Sequence, residues 1–199
     1  MPALTWTSRW TTRREPALAL DDPDLLRQVQ LGDEAALTLI YRHLERPLYR
    51  FAFAMTGSVA TAEEAVQETF LRLIRHPGGP AGGLDPAKGS IESYLYGILR
   101  NVTRQALRTQ FVALDDEFDS PAGDLDDPRV ALERAVAHEQ LAAAILALPP
   151  HYREMVVLCD LEEWSYEAAA AAVGCPVGTV RSRLNRGRGL LRDRLKEAR

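Results

Sequence analysis

Ser165–Leu195 reads SYEAAAAAVGCPVGTVRSRLNRGRGLLRDRL: a short helix, a Gly-Cys-Pro turn and a longer arginine-studded helix, which is the sequence form of a helix-turn-helix. On a helix starting at Val177, the side chains of Val177, Val180, Leu184, Leu191 and Leu195 share one stripe and must be buried. The other side carries Thr179, Ser182, Arg183 and Arg186, flanked by Gly178, Arg181 and Asn185. Small residues near the start of such a helix permit close approach, while guanidinium groups reach phosphates or base edges. Two readings of these arginines are open: a face that touches nucleic acid, or a solvated face whose last cations complement the helix dipole. From Pro176 onward Arg181, Arg183, Arg186, Arg188, Arg192, Arg194, Lys196 and Arg199 stand against Asp193 and Glu197. In a chain of net charge -4, so local an excess of positive charge favours DNA.

Working outward, 199 residues with 46% hydrophobic content suit one large or two small domains. No strand alternation and no internal repeat is visible, so the expected class is all-α, two small helical domains joined by a flexible acidic linker. Cys159 and Cys175 lie far apart without metal spacing and read as reduced, buried cysteines. His43, His76, His138 and His151 are scattered, and no nucleophile elbow or phosphate loop occurs. The expectation is a non-enzyme without metal or cofactor. No apolar run approaches the ~20 residues that span a bilayer, and the short Ala-Leu patch after Arg13-Arg14 is no signal-peptide core. A cytoplasmic protein without membrane insertion is expected.

Residues 1–20 hold Trp6, Trp10 and three arginines without sustained period and read as a flexible tail or a partner-binding segment. Residues 21–110 are strongly helical, with successive apolar sets Leu25, Leu26 and Val29, then Ala36, Leu39, Ile40 and Leu44, then Leu48, Phe51 and Met55. Gly57 ends one helix, and Thr61 with Glu64 suggests a capping box for the next. On that helix Val66, Phe70 and Ile74 share the buried side, leaving Leu71 exposed among carboxylates as a docking feature. The stretch from His76 to Pro86, rich in Gly and Pro, breaks regular structure.

A helix from Ser90 to Gln110 buries Ile91, Tyr94, Leu95, Ile98, Val102 and Ala106. Tyr96, Arg100, Thr103 and Arg104 point the other way, with Asn101 on the flank. An aromatic ring among guanidinium groups suits unpaired bases and their phosphates, or is an ordinary surface tyrosine. Residues 111–129, with seven acidic residues from Asp115 to Asp127 and no basic one before Arg129, read as the linker. Residues 130–199 form the second module, punctuated by Pro149-Pro150.

CPVGTVRSRLNRGR, preceded by LPPHYREMVVLCDLEEWSYEAAA, resembles the promoter-binding helix-turn-helix in region four of bacterial sigma factors, especially the small extracytoplasmic-function group. The resemblance implies contact of Thr179, Arg181, Ser182, Arg183, Asn185 and Arg186 with the minus-thirty-five element. TAEEAVQETFLRLIR is similar to the segment that binds the clamp helices of the largest subunit of core RNA polymerase, implying docking through Glu64, Gln67, Glu68, Phe70 and Leu71. GSIESYLYGILRN resembles the region-two helix that reads the minus-ten element, implying roles for Tyr96, Arg100, Asn101 and Arg104, with a flipped base captured by the Gly/Pro-rich loop before it. The family also implies contact with the beta-subunit flap and a linker threaded near the template strand, for which a solvated hinge is the other reading, while the existence of a controlling anti-sigma factor stays open. Departures are Arg104, where relatives often carry an acid, and Ala168-Ala169, where Glu-Ile is common.

The expected function is an alternative sigma factor that recruits core polymerase to promoter DNA. A stand-alone helix-turn-helix regulator, or an interaction protein that sequesters a transcription component, are the competing readings.

Overall fold

The computed structural model describes residues 22–75, 90–110 and 128–197. The expected N-terminal tail, the Gly/Pro-rich loop and the acidic stretch up to residue 127 lie outside the described residues.

Helix α1 (Pro23–Gln30) begins where the Asp22 side chain accepts a hydrogen bond from the Asp24 amide at 3.0 Å, with Pro23 at the first helical position. Asp33 caps α2 (Glu34–Thr56) in the same way, accepting from the Ala36 amide at 2.9 Å. Gly57 closes α2 in the left-handed region at φ 74°, as expected, its amide donating to the Phe53 carbonyl. The cap of α3 (Val59–Arg75) differs from the sequence reading. Ser58 supplies the oxygen that accepts from the Thr61 amide at 3.2 Å, so Thr61 lies inside the first turn and Glu64 is exposed. The Ser58 hydroxyl stands three residues before Thr61, the spacing that reaches an unpaired amide of the first turn.

Helix α4 (Ile91–Gln110) starts at Ser90, whose hydroxyl accepts from the Ser93 amide. α2, α3 and α4 pack around Ile40, Leu44, Leu48, Phe51, Leu73 and Leu95. The buried hydroxyls of Thr69 and Thr103 donate to the carbonyls four residues back, so neither is left unpaired.

The second half begins with α5 (Pro128–Leu146), which starts at Pro128 rather than Val130. α6 (Pro150–Val156) runs directly into a π-helical turn over Val157–Leu161. Such a turn widens the helix by one residue and rotates the chain beyond it. Glu163 then adopts a positive φ of 57°, turning the chain so that Glu162 and Trp164 are buried while Glu163 itself is exposed. Ser165 caps α7 (Tyr166–Val173), and Gly174 at φ 68° ends it. The chain enters α8 (Val177–Glu197) immediately after Pro176. The expected helix, turn and helix are all present. On α8 Val180 and Leu184 are fully buried, while Val177, Leu191 and Leu195 are only half-buried, the first two packed against the edge of the core.

Gly187 is a residue whose role the periodicity did not reveal. A Cβ there would sit 2.9 Å from Val156 Cγ2 and 3.2 Å from the Tyr152 carbonyl oxygen, so glycine lets α8 cross α6 at close range.

The two helical parts share one apolar core running from Leu25 to Leu184. α4 is therefore covered on both sides, by α2 and α3 on one and by α7 on the other. No strand occurs among the described residues, and no helix among them is long and apolar enough to cross a membrane.

Candidate nucleic-acid interface

The arginine face of α8 is open. Gly178, Arg181, Ser182, Asn185 and Arg186 are exposed, and Thr179 and Arg183 are half-buried at its edges. The face lines a shallow groove with Tyr166, Gly178, Arg181, Ser182, Asn185 and Arg188 along it. Arg181 stands 5.9 Å over the ring of Tyr166, which orients its guanidinium without neutralising it. A hydrogen bond from Arg186 to Tyr152 raises the Arg186 pKa, so the charge is permanent. Arg188 is different: its Nε and Nη2 reach the Asp160 carboxylate at 3.0 and 2.5 Å, and that contact raises its pKa. One arginine of the helix is thus committed to the π turn of its own chain.

The α4 face departs from expectation. Tyr96, expected on an open face, is 2% exposed and lies edge-on between Phe51 (centroids 5.3 Å apart) and Trp164 (4.5 Å). Tyr94, expected to pack, is half-buried, and burial raises its pKa. Thr103, placed on the open side by periodicity, is also fully buried. The physical reason is the second half of the chain, which packs on the side of α4 that a helix in a single layer would leave to solvent.

The arginines of this face are held by carboxylates from the same side. Arg100 Nε donates to Glu154 Oε1, and Arg104 Nη2 stands 3.6 Å from Glu154 Oε2. Arg50 on α2 reaches Glu162 with both Nε (2.9 Å) and Nη2 (2.6 Å), and this bond raises the Arg50 pKa. The side chains of Glu154 and Glu162 are 1% and 4% exposed, so each carboxylate depends on its arginine for compensation. Asn101 alone of the four expected minus-ten residues is exposed, and Arg104 is half-buried.

Arg153 is a further cation at this junction and, unlike Arg50 and Arg100, it is buried. Its guanidinium donates to the carbonyls of Met55 near the end of α2, of Leu146 at the end of α5 and of Leu148 just beyond it. Burial lowers its pKa to about 10, still far above neutrality, so a charged group ties together the carboxyl-terminal ends of two helices. Arg50, Arg153, Glu154, Glu162 and Trp164 were not singled out from sequence. The available signal was Arg153-Glu154 at the head of the apolar run Met155–Cys159, where a charge pair needs partners.

On α3, Glu64 and Gln67 are exposed and Glu68 pairs with Arg72 at 2.7 Å. Phe70 is buried against Tyr41, centroids 4.9 Å apart. Leu71, expected exposed, is half-buried, whereas Ile74, expected on the buried stripe, is 54% exposed because it lies in the last turn beyond the reach of the core. The cysteines are half-buried rather than buried, and burial pushes the Cys159 thiol up to about 11.

Residues 40–110 match the family model described as Sigma-70 region 2, and residues 138–191 match Sigma-70, region 4. The chain is 36% identical to the ECF RNA polymerase sigma factor SigE of Mycolicibacterium smegmatis, over 82% of this chain and 64% of that protein. It is 33% identical to the ECF RNA polymerase sigma factor EcfG of Rhodopseudomonas palustris, over 72% of this chain and 76% of that one. In fold it resembles CnrH in complex with the cytosolic domain of CnrY, with a TM-score of 0.64 at 23% identity, covering 89% of this chain and 98% of that one. The sigma factor RpoE of Bartonella quintana, solved with the anti-sigma factor NepR, gives 0.56 at 25% identity over 83% and 98% of the two chains.

Proposed function

The chain belongs to the extracytoplasmic-function group of the sigma-70 family of RNA polymerase sigma factors, and from this premise we propose that it is an alternative sigma factor that directs core RNA polymerase to promoters. In this reading residues 21–110 dock on the clamp helices of the largest subunit through Glu64, Gln67, Glu68, Phe70 and Leu71. The same part holds the minus-ten element through Tyr96, Arg100, Asn101 and Arg104. Residues 130–199 meet the beta-subunit flap and grip minus-thirty-five duplex through Thr179, Arg181, Ser182, Arg183, Asn185 and Arg186, with residues 111–129 as the connection. Nucleotide chemistry belongs to the core enzyme, in the cytoplasm, and this chain contributes recognition and positioning.

The observation that carries the reading is the two-sidedness of α8. Val180 and Leu184 anchor it in the core, and Arg181, Ser182, Asn185 and Arg186 all face solvent one turn after a glycine-ended helix. A helix held this way presents side chains to a major groove without needing to refold. The kinship with RpoE, which was solved in the grip of an anti-sigma factor, supports control of this chain by a partner protein as well.

The test is comigration of the purified chain with core polymerase, followed by a gel shift of promoter duplex with and without core. Promoter binding that requires core is expected. Tight binding to a palindromic duplex without core would instead favour the stand-alone regulator, and failure to bind core would contradict the proposal.

A further inference from the structure

Three arginines on the open side of α8 have a side-chain partner within the chain, and the partners differ in charge. Arg181 stands over the ring of Tyr166 and Arg186 bonds to Tyr152, both uncharged phenols that leave the cation whole. Arg188 follows Arg181 and Asn185 at helical spacing along the same groove, but its partner is a carboxylate. Asp160, carried beside α8 by the π-helical turn over Val157–Leu161, accepts from both Nε and Nη2 of Arg188. A pair of parallel N–H groups is also what a phosphate takes in a bidentate contact with arginine.

We propose that Asp160 holds Arg188 away from DNA phosphates and so limits how strongly α8 grips duplex irrespective of its sequence. The proposal rests on the reading of α8 as the duplex-binding helix, and adds to it a residue outside that helix whose removal strengthens binding.

Electrostatics keeps the pair closed when duplex arrives. The sequence-independent part of DNA affinity comes from cations that neutralise phosphates and release counterions, each adding about 0.9 to the slope of log affinity against log salt. Arg188 and Asp160 together are neutral and add nothing to that slope. Were the guanidinium to swing to a phosphate, the Asp160 side chain, 29% exposed, would be left as a bare anion beside a polyanion, and their repulsion offsets the new contact. A chain that holds bulk duplex weakly stays available to core polymerase. A mere strut between the π turn and α8 accounts for the same distances, but it predicts lower stability on removing Asp160 and no gain in binding.

The experiment uses the full chain and a fluorescein-labelled duplex pool of randomised sequence, about twenty base pairs long, or two helical turns. Fluorescence anisotropy measures affinity between about 50 and 200 mM salt. Asp160→Asn is expected to bind about fivefold to tenfold more tightly at the lowest salt and to steepen the slope by about 0.9, the signature of one phosphate gained. Adding Arg188→Ala to that variant is expected to return both quantities to wild type, and Asp160→Glu is expected to leave them there. Glu163→Gln, an equal change of charge at an exposed site three residues on, is expected to leave the slope unaltered. Should circular dichroism show that Asp160→Asn has lost its helices, Asp160→Ala carries the same expectation. If Arg181→Ala plus Arg186→Ala weakens wild-type binding but Asp160→Asn binds no better than wild type, or Glu163→Gln steepens the slope equally, the role of Asp160 is overturned while the α8 reading stands. If wild type does not bind the pool at the lowest salt, or the two α8 substitutions leave its affinity unchanged, both are overturned.

Discussion

Trp164 stands edge-on to Tyr96, with ring centroids 4.5 Å apart and planes inclined at 61°, although the two residues belong to different family regions of the chain. Phe51 packs edge-on against the tyrosine as well, and the Arg50–Glu162 and Arg100–Glu154 pairs join the same two halves of the chain.

Trp164→Ala should therefore destabilise the chain as a whole. Removing a buried ring from such a site costs about 3–5 kcal/mol. Urea unfolding followed by circular dichroism measures this. A change below about 1 kcal/mol, the typical effect of an ordinary substitution, would mean that the two halves do not pack in solution as described.

Gly187→Ala sets two effects against each other. Alanine favours the helix by about 1 kcal/mol, but its Cβ meets Val156 Cγ2 at 2.9 Å and the Tyr152 carbonyl at 3.2 Å. Backbone cannot give way as a side-chain tip does, so a net loss of about 1–2 kcal/mol is expected. Gly189→Ala, whose Cβ meets nothing within 4 Å, should stabilise by about 0.5–1 kcal/mol. Thermal unfolding of the two variants should shift in opposite directions.

Arg183→Ala and Arg186→Ala should weaken holoenzyme binding to upstream promoter duplex while leaving the unfolding midpoint nearly unchanged. A base-edge contact is worth about 1–3 kcal/mol, whereas a lost phosphate contact lowers the salt slope by about one. Titrating affinity against salt concentration tells these apart. Unchanged affinity at every salt concentration would remove these residues from the interface.

Gln67→Ala should reduce affinity for core polymerase at constant stability, because Gln67 is exposed on α3. Phe70→Ala is a poor probe of the same contact. The ring is buried against Tyr41, and its loss costs about 3–5 kcal/mol of stability before docking is considered. Sedimentation of each variant with core enzyme checks the difference.

The thiol of Cys159 is pushed by burial from 9.0 to about 11. A folded-state value above the unfolded one stabilises fully below the unfolded pKa and is lost as pH rises through the folded one. Alkylation of Cys159 in a Cys175→Ser background should accordingly stay slow at pH 8–9 and accelerate near pH 10–11. Rapid alkylation at pH 8 would show an open thiol.

The helix-turn-helix was legible because its signals are local. The apolar stripe of α8, the Ser165 cap and the left-handed Gly174 each depend on a few neighbouring residues. Gly57 could be read for the same reason, while Ser58 was passed over because Thr61 carries the same hydroxyl chemistry three residues on. The burial of Tyr96 was illegible from periodicity, which assigns one buried side per helix. α4 has two, the second created by Trp164, which lies 68 positions along the chain from its partner tyrosine. Ile74 failed the opposite way: its period is right, but the last turn of α3 projects past the core.

The central claim, that this chain selects promoters for core polymerase, is tested most directly by in vitro transcription of total genomic DNA with core enzyme plus the purified chain, mapping transcript starts. Starts that appear only with the chain, that share paired upstream elements and that vanish with Arg183→Ala plus Arg186→Ala are the expected result. A chain that binds core yet adds no start site would contradict the claim.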